Sequence, residues 1–299
     1  KNKIDKLASG EKEMVLSSGW AGSQLLNSDD YRAYVGGTTG LIYGFVNDGF
    51  YTVDDFKPFD SKSRTWTLKD GVVNSSPLSG DPRPGNAKFK KLTPVDENSA
   101  NPYTLTDDDR TVIGNTTPKF SGGFGLNATF KGFDVSAFFN FMYDFDVFNA
   151  NKVMMTTWAS NNYNNFSMDI SAAKRWRNFD DMGNEIRYSP EILAEFNKNA
   201  TMWNPTSIGR PIAMSYAVED GSFLRLNTAT IGYTLPRAWT NKVGLSRVRF
   251  YASGYNLFTI TGYSGYDPEV DIATGLTPNI DNNRYPRSRT YTFGVQLTF

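Results

Sequence analysis

Apolar and polar residues alternate with a period of two over several stretches of the chain, and this pattern constrains the fold more than any other feature. Near the C-terminus, Tyr291, Phe293, Val295, Leu297 and Phe299 alternate with Thr290, Thr292, Gly294, Gln296 and Thr298. Successive side chains of a strand point to opposite faces of a sheet, so the pattern predicts β-strands with one apolar face. The same alternation predicts strands in 120–130, 133–145, 222–235 and 247–260.

Turn and bulge signals accompany these strands. Lys131-Gly132 predicts a tight turn that joins the first two of them into a hairpin. The apolar positions change parity within 222–235, which predicts a β-bulge near Asn227. A weaker strand is predicted over 41–50, and residues 1–8 resemble the tail of another. The chain is therefore expected to hold about six complete strands.

The segments between the strands alternate between long and short. Residues 51–118, 147–220 and 261–287 form long gaps, whereas 131–132 and 236–246 are short. Long loops at one end of the strands and short turns at the other are typical of bacterial outer-membrane barrels, where the long loops are extracellular. The same count of strands places the C-terminus on the periplasmic side.

Strand length separates two fold classes. The predicted strands have about 11–15 residues, and a tilted strand needs about 9–11 to cross the bilayer core. Strands of soluble β-sandwiches usually have about 5–6. The pattern favours a transmembrane barrel, and the alternative is a soluble β-rich carbohydrate-binding or structural protein. Within the long gaps, Ser189-Pro190 predicts a helix to about Asn199, and 169–177 is a second candidate helix.

Composition excludes several classes of function. Lys and Arg total 31, as do Asp and Glu, so the net charge of zero gives no electrostatic case for a nucleic-acid partner. The sequence has no Cys and no His, which excludes thiolate nucleophiles, Ser–His–Asp triads and His- or Cys-ligated zinc. Asp267 and Glu269 are an acidic pair of the kind that glycosidases use. They flank Pro268 in a predicted turn, and we predict no catalytic residues.

Ten short segments spread over nearly the whole chain occur in the order found in SusC/RagA-type TonB-dependent transporters. They are 44–50 (GFVNDGF), 84–89 (PGNAKF), 107–115 (DDDRTVIGN), 118–120 (PKF), 131–134 (KGFD), 219–226 (EDGSFLRL), 231–236 (IGYTLP), 256–258 (NLF), 265–269 (GYDPE) and 285–286 (YP). Each segment alone is a weak signal, and the ordered set is specific. The chain therefore resembles this family.

The resemblance implies an all-β fold: the C-terminal strands of an antiparallel transmembrane β-barrel of about 22 strands, with long extracellular loops. Residues 1–299 would then be the C-terminal part of the barrel. The plug and the TonB box match nothing in this sequence and are expected in a longer chain. About six strands alone would leave unpaired backbone groups in hydrocarbon, which is a further reason to expect a longer chain.

The function that the resemblance implies is TonB-dependent import of large nutrients, oligosaccharides or oligopeptides, across the bacterial outer membrane. Its expected partners are a SusD-like surface lipoprotein, the TonB complex and outer-membrane lipid. No cofactor or metal is expected. Related transporters often carry an Asp/Asn run ending in Asp-Gly before the 107–115 segment; this chain has none there, so a Ca²⁺ site is not favoured. Asp109 or its neighbours are instead expected to cap backbone amides.

Several residues are candidates for particular roles. Trp158, Trp176 and Trp203 lie in the longest gap and are candidates for contact with cargo or the lipoprotein. The alternative is that each packs within its own loop. Arg247 and Arg249 alternate with apolar positions and are expected to face the barrel lumen, where they would touch cargo or plug.

The outward face and the chain terminus carry two further predictions. Gly294, Leu297 and Phe299 match the pattern of a barrel-assembly signal, a strand that ends on an aromatic residue. The alternative is an ordinary terminal strand. The apolar side of the alternation should face lipid. It includes Phe124, Leu126, Val135, Phe139, Val295 and Leu297.

Overall fold

The computed structural model describes residues 2–8, 10–27, 29–157, 166–270 and 275–299. In chain order its strands are β1 Glu13–Leu16, β2 Tyr31–Tyr34, β3 Leu41–Gly44, β4 Asn47–Phe50, β5 Ala87–Phe89, β6 Thr111–Asn115, β7 Phe120–Phe130, β8 Phe133–Tyr143, β9 Asp146–Asn149, β10 Val218–Asp220, β11 Phe223–Thr234, β12 Arg247–Thr261, β13 Ile280–Asp281 and β14 Thr290–Thr298. Its α-helices are α1 Ser76–Ser79, α2 Ala150–Met154, α3 Pro190–Phe196 and α4 Arg237–Thr240.

The five long strands form one antiparallel sheet in the order β14-β12-β11-β8-β7. Paired residues of neighbouring antiparallel strands share a face, and the register brings the apolar positions together: Phe124 opposite Phe139, and Val135 opposite Ile231. The exposed large apolar side chains of this face include Phe120, Phe124, Leu126, Phe130, Phe133, Val135, Tyr143, Ile231, Phe250, Phe258, Ile260, Tyr291, Phe293, Val295 and Leu297. The predicted strands, their antiparallel pairing and their apolar face are confirmed. The sheet is open.

Local signals in these strands are also confirmed. Lys131 and Gly132 both have positive φ, 46° and 88°, which is the backbone that a two-residue hairpin turn requires. The register of β11 shifts between Leu226 and Thr228, so Asn227 is the bulge that the change of parity predicts. The bulge keeps the apolar positions of both halves of β11 on one face.

Two strand predictions are wrong. Residues 41–50 form β3 and β4, which belong to two small sheets outside the long-stranded sheet. Residues 2–8 contain no strand, and Ile4 hydrogen bonds instead with Gly36 and Gly37. The long-stranded sheet therefore has five strands rather than about six. Alternation over a few residues does not distinguish a spanning strand from a short strand packed within a loop.

The long gaps leave the sheet at one end and fold together. We call the described residues of 13–118, 145–220 and 263–284 the loop assembly. Backbone hydrogen bonds join its segments: Phe45 donates to Ala213 and Asn204 donates to Gly85. Its buried core draws on all three segments. The core consists of Tyr31, Ile42, Phe45, Leu78, Ala87, Phe89, Leu105, Phe148, Ala150, Val153, Ile170, Met202, Trp203, Ile208, Ile212, Met214, Ala217 and Ile280.

The helices of the loop assembly are shorter than predicted. Helix α3 begins at Pro190, as the Ser-Pro signal predicts, and ends at Phe196. Within 169–177 the structure has only the end of a 3-10 turn, Met168–Ile170. Among the described residues, no helix has the length and apolar character needed to cross a membrane.

Candidate functional site

A buried ion-pair network anchors the loop assembly to the sheet. Arg225 projects from β11 on the face opposite its apolar neighbours and is 2% exposed. Its guanidinium pairs with Asp267, and Glu269 lies 3.6 Å away and pairs with Arg287 at 2.9 Å. Burial raises the pKa of the Asp267 carboxyl, but the hydrogen bond and charge of Arg225 and the backbone amides of Glu269 and Arg287 together outweigh burial and lower the net pKa. The acidic pair is therefore engaged in holding the last loop.

Asp109 organises a second part of the loop assembly. Its carboxylate is fully buried and accepts hydrogen bonds from the backbone amides of Leu92, Thr93 and Thr106, at 2.8–2.9 Å. The Thr93 hydroxyl donates at 2.6 Å, and Lys91 Nζ lies at 3.3 Å. Burial raises the pKa, but these donors outweigh it and lower the pKa of Asp109 to about 2. Asp109 therefore caps backbone amides, as the sequence predicts for it or its neighbours.

Among the residues that the structure describes, no group of three or more Asp or Glu side chains is arranged to hold a metal ion. The oxygen atoms of Asp109 are occupied by protein donors.

Two of the three candidate tryptophans are buried. Trp176 is 3% exposed and Trp203 is 2% exposed, so neither ring is available to cargo or a partner in this structure. Trp203 packs edge-on against Tyr216, with the ring centroids 4.8 Å apart. Trp176 lies across Gly85, where a Cβ would be 2.1 Å from the indole. The packing alternative describes both rings. Trp158 lies outside the described residues.

An open cleft lies between the segments 64–86 and 178–209 of the loop assembly. Its volume is about 730 Å³, within the range of about 300–1,000 Å³ for ligand pockets. Three arginines line it, Arg64, Arg83 and Arg187, against a single acid, Asp81. The other polar lining side chains are Thr65, Ser79, Asn86, Asn178, Asn204, Thr206 and Ser207. The cleft has polar donors and a positive charge balance.

An aromatic cluster forms one side of the cleft. The Phe59 ring lies 4.8 Å from Trp66 and 6.1 Å from Tyr188. The guanidinium groups of Arg64 and Arg187 lie 5.3 and 5.7 Å from the Tyr188 ring centroid. Such cation–π contacts hold the planar guanidinium groups near the aromatic surface.

A tight turn presents Arg64 to the cleft. Asp60 and Thr65 pair across it, and the Asp60 carboxylate accepts bonds from the Ser63 hydroxyl at 2.8 Å and the Lys62 amide at 2.9 Å. The Ser63 hydroxyl bond is the largest cause of a lowered pKa for Asp60. Arg64 itself has φ of 54°, a conformation that side-chain-bearing residues rarely adopt.

Sequence reasoning missed this cleft. Its residues come from separate parts of two long gaps, and no local pattern relates Arg64 or Arg83 to Tyr188. The one available signal is Asp81-Pro82-Arg83-Pro84. Two prolines fix the backbone around a single arginine, which marks a stiff, exposed loop rather than a flexible one.

The candidate lumen-facing arginines differ from one another. Both lie on the polar face of β12, where Arg247 is exposed. Arg249 reaches across Gly232 of β11 to pair through two nitrogens with Asp134 of β8. A Cβ at Gly232 would be 2.4 Å from the guanidinium. Arg249 therefore bridges three strands, and the glycine makes room for it.

The residues of the predicted assembly signal lie on the terminal strand. Gly294 pairs with Tyr251, whose ring lies across it, and a Cβ would be 2.4 Å from that ring. Leu297 pairs with Val248 on the apolar face. Phe299 follows the end of β14 and is 89% exposed. The close approach of Tyr251 is a structural reason for glycine at 294, independent of any assembly role.

No protein-family model matches the chain. It is 30% identical over its whole length to TonB-dependent receptor P3 of Formosa agariphila, of which it covers 26%. It is 32% identical over 164 residues, half of the chain, to TonB-dependent receptor SusC of Bacteroides thetaiotaomicron, of which it covers 15%. The chain thus spans about a quarter or less of the length of these relatives.

Solved structures agree on the fold. The RagAB peptide importer in its open-open state matches 99% of the chain with a TM-score of 0.61 at 22% identity. The chain covers 25% of that protein. The ordered motifs, the one-sided apolar sheet and these relatives agree, and the chain belongs to the SusC/RagA-type family of TonB-dependent transporters of the bacterial outer membrane.

Proposed function

We propose that the full-length protein imports large nutrients, oligosaccharides or oligopeptides, across the outer membrane in a TonB-dependent manner. The observation that carries this proposal is a long-stranded sheet with one continuous apolar face beneath a separately packed loop assembly. An apolar outer face suits contact with lipid, and the polar opposite face suits a hydrated lumen. Relatives named TonB-dependent receptors support the same class of function.

In this proposal the sheet is the C-terminal part of a plugged barrel of about 22 strands. Among the described residues the outer edges of β7 and β14 have no partner strand, and such edges are unfavourable in hydrocarbon. Strands elsewhere in the full-length protein would pair with both edges. The plug and the TonB-coupling segment would also lie in that remainder. Arg247 is exposed on the polar face and would touch plug or cargo there.

The loop assembly would lie outside the cell and form the mouth. A barrel wide enough for large cargo needs a structure above the plug that retains it, and a loop unit with its own core provides rigid walls. We propose that a SusD-like surface lipoprotein closes over this mouth. One structural neighbour, RagAB, is described as a peptide importer, which supports oligopeptides as one cargo class. Oligosaccharides remain the second proposed cargo class.

Transport is favoured over catalysis. The acidic pair Asp267 and Glu269 is held in ion pairs with Arg225 and Arg287. Both carboxylates belong to one cluster with arginines between them, and their arrangement anchors a loop. The proposed function involves no bound cofactor.

The test uses the full-length gene in its own host. Deletion should abolish uptake of fluorescently labelled oligosaccharides or oligopeptides, while complementation restores it. The complementing protein should fractionate with the outer membrane and co-purify a SusD-like lipoprotein, identified by mass spectrometry. Recovery of the full-length protein in the soluble fraction would instead support the soluble carbohydrate-binding alternative. Normal uptake after deletion of the full-length gene would overturn the import proposal.

A further inference from the structure

The cleft between segments 64–86 and 178–209 holds two arginines without an acidic partner among the described residues. The third, Arg187, pairs with Glu185, which leaves its charge compensated. The Arg64 guanidinium lies over the face of Tyr188, and among the described residues neither Arg64 nor Arg83 forms an ion pair. Asp81 is the acid on the lining, and no arginine or lysine of the described chain pairs with it. Two compact, exposed positive charges are thus directed at one concave surface.

The backbone conformation at Arg64 is an independent observation. Residues with a Cβ are disfavoured at positive φ, and glycine is the residue that adopts it freely. The turn at 60–65 is closed by Asp60 and its hydrogen bonds, none of which uses the Arg64 side chain. Strained conformations of this kind concentrate at functional sites. Glycine would adopt this turn conformation more easily, so the turn itself gives no structural reason for an arginine at position 64.

Arg83 is presented in a different way. Pro82 and Pro84 flank it, and proline fixes its own φ while restricting the preceding residue. Little backbone conformational entropy is then lost when this loop binds a ligand. Beside it, Asn86 directs its amide towards the carbonyls of Ser79 and Asp81, which fixes that wall of the cleft.

We propose that this cleft binds a carboxylate group of the cargo, with Arg64 and Arg83 supplying the charged donors. Guanidinium groups match the planar geometry of a carboxylate and bind it through paired hydrogen bonds. The aromatic surface of Trp66 and Tyr188 provides a flat apolar wall for the part of the cargo that bears the carboxylate. The inference rests on the proposed function, since it takes the ligand of the cleft to be imported cargo.

Two sources of the carboxylate are distinguished by probes. One arm uses trigalacturonate, with its carboxyl-reduced neutral counterpart as comparison. The other uses a glutamate-rich pentapeptide, compared with the same peptide carrying glutamine. Affinities are measured by isothermal titration calorimetry on the detergent-purified full-length transporter. At least one carboxylated probe should bind more tightly than its neutral counterpart, and the arm that does so identifies the source.

The variants then assign the binding to the cleft. Arg64→Gly and Arg83→Gln should each lower the affinity for the carboxylated probe by roughly tenfold or more, because each removes a charge-assisted hydrogen bond. Asp81→Asn should raise the affinity for the carboxylated probe, because it removes a charge of the same sign as the carboxylate. Arg237→Gln makes the same charge change in the short turn at the opposite end of the sheet and should leave affinity unchanged. Thermal stability of Arg64→Gly should equal or exceed that of the parent, since glycine suits the turn.

Several results would overturn the inference: no carboxylated probe binds, neutral probes bind as tightly, or either arginine variant keeps full affinity. Failure of the proposed function gives a different result. Binding in detergent does not depend on import, so carboxylate binding without uptake would overturn the import proposal and the identification of the ligand as cargo, while carboxylate binding by the cleft would stand. Normal uptake with no carboxylate binding would overturn the cleft inference alone.

Discussion

At the scale of single residues, buried carboxylates hold the loops. Asp109 shows how a side chain in an acidic stretch becomes structural: it accepts bonds from three backbone amides, and its neighbour Asp108 remains exposed. Sequence alone predicts capping somewhere in 107–109 but does not decide which carboxylate performs it. The choice depends on where residues 91–93 lie, which is a tertiary contact.

Asp109→Asn should destabilise the loop assembly by about 1–3 kcal/mol at neutral pH, since buried donors lose a charged acceptor. The folded pKa of about 2 lies below the unfolded value of about 3.9, so this stabilisation is present above pH ~4. It should be lost as pH falls from about 4 towards 2. Hydrogen exchange of residues 91–109 over that range measures it.

The control for this prediction is Asp108→Asn, which removes an equal charge from an exposed neighbour. It should leave both the exchange rates and their pH dependence unchanged. Equal protection of the 91–109 segment in Asp109→Asn and the parent would contradict the structural role of Asp109.

At the scale of elements, the β7–β8 hairpin shows how the alternation of apolar and polar residues produces two different faces. Its apolar residues lie on one face, with Phe124 and Phe139 stacked 4.9 Å apart. On the other face Phe138 lies across Gly123, where a Cβ would be 2.8 Å from the ring. Aromatic residues therefore occur on both faces, but on the polar face one is accommodated by neighbouring glycine. This explains why Phe138 interrupts the alternation of β8 without a change of register between β7 and β8.

Leu126→Arg should lower stability of the inserted full-length barrel by about 2–4 kcal/mol, because it places a charge on the lipid face. Asn127→Arg, one residue along β7, points to the opposite face and serves as the matched control. Spin labels at 126 and 127 give a direct reading: the label at 126 should be accessible to oxygen in lipid. Greater lipid exposure at 127 would mean that the faces are reversed.

The terminal strand β14 carries the second element-scale prediction. Deleting Phe299 should lower the outer-membrane abundance of the full-length protein, because a terminal aromatic residue matches an assembly signal. Phe293→Ala removes an equally exposed aromatic from the same strand and should affect abundance less. Quantitative immunoblotting of membrane fractions measures both. Unchanged abundance after the deletion would leave β14 as an ordinary terminal strand.

At the scale of the whole molecule, the described chain has two parts with different physical character. The sheet exposes its apolar face, whereas the loop assembly buries its apolar residues in a core of its own. A smaller cluster at their junction comprises Phe145, Val147, Phe223, Tyr263 and Val270. The loop assembly is thus a folded unit that stands on the strand ends and is anchored there by apolar contacts and the Arg225 network.

Trp203→Ala should disrupt the loop assembly and leave the barrel inserted. The substitution empties a buried site beside Tyr216, and core Trp to Ala changes cost about 3–5 kcal/mol. Limited proteolysis on intact cells should then cleave the loops, while heat-modifiable migration of the barrel stays normal. Trp239→Ala, in the exposed short turn, is the control. Parental protease resistance in Trp203→Ala would contradict a cooperative loop core.

The sequence by itself determined the long strands, their faces, the Lys131-Gly132 turn, the bulge at Asn227 and the family. These follow from patterns within a few neighbouring residues or from short ordered motifs. Only the tertiary structure decided that Trp176 and Trp203 are buried, that Asp109 is the capping carboxylate and that Arg64 and Arg83 share a cleft. Burial and pairing in long loops depend on contacts between segments far apart in the chain, such as Asn204 with Gly85, and no local periodicity encodes them.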